Sequence, residues 1–130
     1  MATYVKIQGN QYPAKITGKI HDGDWGNRAS KAIHLEMSYA DVCTLFVNDT
    51  PWSILQEVEK IEEQVSEAVD EETGEIKHIT TIVPVIELEE YDNSEYNIAG
   101  DITDHRDGTV TVKMGKLTAE ELLAMLEEVL

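Results

Sequence analysis

The sequence predicts an α+β fold: mainly an antiparallel β-sheet or small barrel, with one short internal helix and a C-terminal amphipathic helix. Three observations predict it. Apolar and polar residues alternate in short segments, as Ile33, Leu35 and Met37 do in "KAIHLEM". Glycine, asparagine and aspartate separate those segments at intervals that suit hairpins. Helical spacing without a competing reading occurs in the final "TAEELLAMLEEVL". The 130 residues suit one domain, 1–130, that closes a core without disulfides, and the single cysteine, Cys43, excludes an intrachain bridge.

In chain order, "YVKIQGNQYPAKITGKI" reads as a hairpin of Tyr4–Gln8 and Tyr12–Ile20, turning on Gly9 and Asn10. Pro13 points to an edge position, because proline cannot donate to a ladder. His21 to Ser30 is a polar loop, and "KAIHLEM" is a half-buried strand on which His34 faces outward. Ser38 caps a short helix, Tyr39 to Phe46, with Asp41 three residues on as a capping-box variant. Cys43 lies within it as a small hydrophobe.

The next segment supports two readings. Ile54, Val58, Ile61, Val65 and Ala68 recur at helical spacing, and Ser53 with Gln56 offers a capping box. Against that, "PWSILQ" opens like a strand, and "IKHITTIVPVIEL" is rich in β-branched residues beyond a "DEETGE" loop tip. The expectation is a strand through about Val58, with Glu59–Val69 open between helix and strand. The region 57–90 is therefore an acidic hairpin or helical insertion. "YNIAGDIT" and "TVTVKM" pair across "DHRDG". Thr118 and Glu121 form a capping box for the last helix. Its stripe of Leu122, Met125, Leu126 and Val129, widened by Leu123 and Leu130, is of the kind that packs on its own sheet or serves a subunit interface.

The net charge of −16 comes from 26 acids and 10 bases, and it is concentrated. Glu57 to Glu95 holds 14 acids and two bases, Lys60 and Lys77. Such a surface repels nucleic acid and anionic membrane, so no direct nucleic-acid binding is expected. It favours solubility, a cation or a basic protein partner. No apolar run reaches spanning length and no signal peptide is evident, so neither membrane insertion nor secretion is expected.

The chemical candidates are few. Asp101, Asp104, His105 and Asp107 could hold a metal, but calcium-loop spacing is absent, and Asp107-Gly108 is a hairpin signal. No metal and no cofactor is expected. Catalytic motifs are missing: there is no G-x-S-x-G, no phosphate-binding glycine loop and no paired-histidine spacing. The expectation is a protein that is not an enzyme. In "HDGDWGNR", Trp25 and Arg28 are residue types that dominate interfaces, although Trp25 folded back on the core accounts for the loop equally well. Glu87, Glu89 and Glu90 form an acidic cluster. With Leu126 and Leu130 of the last helix, these are the candidate interaction residues.

"EYDNSEYNIAGDITDHRDGTVTVKMGKLTAEELL", "IQGNQYPAKITG" and "VNDTPWSI" together resemble small proteins encoded in the tail-gene regions of prophages from Gram-positive gut bacteria. The likeness covers most of the chain except the acidic middle and carries over no functional residue. It implies a tail or baseplate accessory made in the host cytoplasm and carried in the virion tail, acting by protein–protein contact, with a homo-oligomer as one form. The alternative it implies is a small acidic viral protein that blocks a basic nucleic-acid site on a host defence system.

Overall fold

The computed structural model describes residues 2–129, with the side chain of Val129 left out. Seven strands form one antiparallel sheet in the order β5-β4-β1-β2-β3-β7-β6. The strands are β1 (Thr3–Ile7), β2 (Asn10–Asp22), β3 (Arg28–Leu35), β4 (Trp52–Val69), β5 (Ile76–Asp92), β6 (Ile98–Asp104) and β7 (Val110–Gly115). Two helices complete the fold, α1 (Tyr39–Leu45) and α2 (Ala119–Val129).

β5 and β6 are opposite edges of this sheet, yet residues 93–97 are all that join them. A flat seven-stranded sheet is about 29 Å wide at about 4.8 Å per strand. The short connection spans at most about 21 Å. The sheet must therefore curl, and its concave side holds the core: Val5, Ile7, Ile33, Leu35, Trp52, Val110, Val112 and Met114. Helix α1 and the residue that caps its C-terminus close that side with Val42 and Phe46. Ser38 caps it by accepting from the Asp41 N–H at 3.2 Å. The 93–97 connection is tied across the curl. The Trp52 indole donates to the Tyr96 carbonyl at 3.0 Å, and Lys31 donates to Asn93.

Several local expectations change. The first turn uses Gln8 and Gly9, both at positive φ, because Ile7 pairs with Asn10. That is the primed turn that matches strand twist, with glycine second rather than first. β2 lies inside the sheet, not at an edge. Pro13 is tolerated because pairing to β3 begins one residue later, at Ala14. β2 continues to Asp22 and β3 starts at Arg28, so the expected loop shrinks around a 3-10 turn at Gly23–Trp25. The β6–β7 hairpin forms as expected, with Asp107 and Gly108 in a loop over 105–109, one residue later than "DHRDG".

The open segment is entirely strand. β4 runs unbroken from Trp52 to Val69 and pairs with β5 down to Val69–Ile76. The apparent helical spacing puts Ile54, Val58 and Ala68 on one face and Ile61 and Val65 on the other. β1 pairs with β4 only from Trp52 to Gln56. Beyond that, twelve residue pairs, Val58–Glu87 to Val69–Ile76, continue as a two-stranded arm. At about 3.4 Å per residue the arm is roughly 40 Å long.

Candidate functional surfaces

The two faces of the arm differ. One carries Val58, Val83 and Val85, each half-buried. It is laced by Lys60, whose Nζ lies 3.1 Å from Glu87 and 3.5 Å from Glu89. The stems of these long side chains cover the valines. The other face carries Ile61, Val65 and Val69 from β4, with Ile76, Ile82, Pro84, Ile86 and Leu88 from β5. No described residue covers it: Ile61 is 72% exposed, Ile82 64% and Ile86 67%. Glu59, Glu63 and Glu67 alternate with the β4 apolar residues and line one side of the band. At the arm's base this face runs into buried Leu55, where Tyr4 donates to Glu57 at 3.2 Å and Lys6 pairs with Glu90 at 3.0 Å.

The acidic candidates are thus partly neutralised. Glu87 and Glu89 share Lys60, and Glu90 holds Lys6. The Tyr91 hydroxyl donates to Glu89 at 2.6 Å and, with Lys60, holds the Glu89 carboxyl below its usual range.

Helix α2 is the second unpartnered element. Its capping box forms as expected: Thr118 N–H donates to Glu121 at 2.9 Å, and Glu121 N–H donates to the Thr118 hydroxyl at 3.2 Å. The apolar stripe does not pack on the sheet. Leu122, Leu123, Met125 and Leu126 are exposed, Leu126 by 61%. The physical reason is attachment at one end only: Arg28 donates to Glu121 at 2.8 and 3.3 Å, while the remaining turns extend away from the body. Leu130 lies outside the described residues.

Trp25 has a packing role. Its ring lies on Gly100 and Gly115, where an added Cβ would come within 2.6 and 2.7 Å of it. The Arg28 guanidinium stacks on the same ring at 5.2 Å, so Trp25, Arg28 and Glu121 form one cluster that anchors α2. Beside it lies the most deeply buried acid among the described residues, Asp22. It accepts from Ser30 Oγ at 2.9 Å, Lys113 Nζ at 3.0 Å and Asp24 N–H at 3.1 Å. The Lys113 hydrogen bond, then that of Ser30, holds its carboxyl below the usual range.

In the β6–β7 loop, Asp104 accepts from Arg106 N–H at 2.9 Å, and Asp107 accepts from Thr109 N–H at 3.0 Å and its hydroxyl at 2.6 Å. Their oxygens shape the turn. His105 Nε2 and His34 Nδ1 both meet Thr111 Oγ1, at 2.8 and 2.7 Å. They border a shallow trough of about 890 Å³ with Pro13, Lys15 and Glu36 on the convex side of the sheet. The Thr111 hydroxyl is thus the shared hydrogen-bond partner of both rings. No family model, curated protein or solved structure matches the chain, so a functional reading rests on these surfaces.

Proposed function

We propose that this chain is a non-enzymatic assembly protein that acts by protein–protein contact, of the tail or baseplate accessory kind implied by the sequence resemblance. One observation carries the reading: the arm and α2 both extend from a well-packed body and both expose large aliphatic side chains. Contiguous exposed apolar surface on a soluble fold marks interaction sites. The arm's length would bring two distant bodies into contact.

Two measurements test it. Mass spectrometry of purified virions from a strain that encodes the protein should find it, and absence would remove the tail assignment. Light scattering on the full chain should show a mass that changes when the arm is excised or Leu122 and Leu126 are made serine. A strict monomer, indifferent to both changes, argues against self-assembly.

A second reading has its own support. Glu59 and Glu63 make no ion pair among the described residues, and both lie on the uncovered face of the arm. A small acidic inhibitor of a basic nucleic-acid site would present such carboxylates. Its binding to a basic host enzyme would be displaced by nucleic acid, and indifference to nucleic acid would dismiss it.

A further inference from the structure

We infer that the uncovered face of the arm docks a cationic amphipathic polypeptide segment, one whose apolar stripe is bordered by lysine or arginine. The inference rests on the assembly reading above and names the chemistry of its partner.

The two faces of the arm are asymmetric. On its valine face Lys60, Glu87 and Glu89 cover the part near the base, and Ile79 further out is exposed. The opposite face carries larger side chains and has no cover. On β5, Ile82, Pro84, Ile86 and Leu88 stand at every second position, about 6.6 Å apart, and form a continuous apolar row. On β4, Ile61, Val65 and Val69 alternate with Glu59, Glu63 and Glu67. The surface is thus an apolar band with carboxylates along one side.

Charge then selects the occupant. Between Val58 and Glu87 the arm holds nine acids against Lys60 and Lys77. Lys60 is already committed to the other face. A second arm laid on this one would set carboxylates against carboxylates. Helix α2 would do the same, since it offers Glu120, Glu121, Glu127 and Glu128 and no base. Nucleic acid and anionic lipid are repelled likewise. A segment with basic flanks satisfies the apolar band and the acidic border together. Such pairing steers encounter and fixes register, while the apolar contact supplies most of the affinity.

The sign of the salt effect separates the possibilities. The probe is a labelled 18-residue leucine–lysine amphipathic helix, with a leucine–glutamate helix as control, titrated with the full-length protein by fluorescence anisotropy. The lysine peptide should bind and the glutamate peptide should not. Affinity should fall as salt rises. I61S/I82S/I86S, whose side chains are exposed and outside the core, should weaken binding at least about ten-fold. E59Q/E63Q/E67Q should weaken it and flatten the salt dependence. Leu122→Ser with Leu126→Ser on α2 should leave it unchanged. Circular dichroism confirms that each variant is folded.

Several results would overturn the inference. If the lysine peptide binds equally well to the isoleucine variant, contact is electrostatic alone and mimicry takes its place. If the peptide fails to bind while the protein self-associates through the arm as salt rises, the occupant is a second copy, and the assembly reading survives without this inference. If neither peptide binding nor self-association depends on the arm or α2, both fall.

Discussion

β4 and β5 run through both the body of the sheet and the arm, yet the two regions follow different rules. From Trp52 to Gln56, β4 has β1 on one side and β5 on the other. There Trp52 and Leu55 are buried. A few residues further the neighbour is gone, α1 lies elsewhere, and isoleucines of the same kind stand in solvent. Apolar alternation therefore means stability in one region and availability in the other. An isolated two-stranded ribbon is marginal in water. This one is held because its strands begin inside a seven-stranded sheet.

The comparison breaks first if the core is not where stability resides. Trp52→Ala or Phe46→Ala should cost about 3–5 kcal/mol in urea unfolding, since both side chains are fully buried. Ile82→Ala or Ile86→Ala should stay within about 0.5 kcal/mol. An equal cost at the two sites would mean that the arm is packed against something.

Gly100→Ala tests the body's far end. Its Cβ would meet the Trp25 ring at 2.6 Å, so the ring must shift, at about 1–3 kcal/mol. Near-ultraviolet circular dichroism of Trp25 should change with it. Gly74→Ala at the arm's tip, at φ 74 with open space around it, should strain only its own turn.

Thr118→Ala removes the α2 cap and should cost about 1 kcal/mol of helix stability, read as lost helical signal with the sheet melting transition unchanged. A shift of the whole transition would show that α2 belongs to the body.

Asp22 gives the body a pH dependence that rests on a fully buried carboxylate. Its folded carboxyl pKa is lowered by Lys113 and Ser30. Its contribution is therefore fully present above the unfolded carboxyl value, about 4, and is lost as pH falls through the lower folded value. Asp22→Asn should flatten the acid limb of a melting-temperature curve. A limb of unchanged slope would assign acid unfolding to other carboxylates.

Removal of the arm separates the two regions most directly. Replacing 59–86 by Asn-Gly joins Val58 to Glu87 through a two-residue turn at a point where they already pair. Body stability should change by less than about 1 kcal/mol. A collapse of the body would place the arm within the folding unit.

Much of this was legible in the sequence because it is local. The caps at Ser38 and Thr118 form as written, since each needs only four neighbouring residues. The turn chemistry of Asp104 and Asp107 is local in the same way. The arm was only half legible: Ile54, Val58, Ile61, Val65 and Ala68 fit both periods, and only pairing with the β-branched return leg selects the strand. The Trp25 site required Gly100 and Gly115, some 75 and 90 residues away in the chain, which no local pattern joins to it.

By itself the sequence determined the α+β class, the hairpins, the capped helices and the concentration of acid between Glu57 and Glu95. It also determined the apolar stripe of the last helix. Only the tertiary structure decided that the acidic segment is an arm with one apolar face, and that this face and the α2 stripe are left uncovered. β1 is five residues long and stops pairing at Gln56, so the remainder of the β4–β5 hairpin has no third strand. α2 is held by Arg28 at its first turn and extends away from the sheet. Periodicity records which side chains share a face; whether anything lies opposite depends on where every other strand ends.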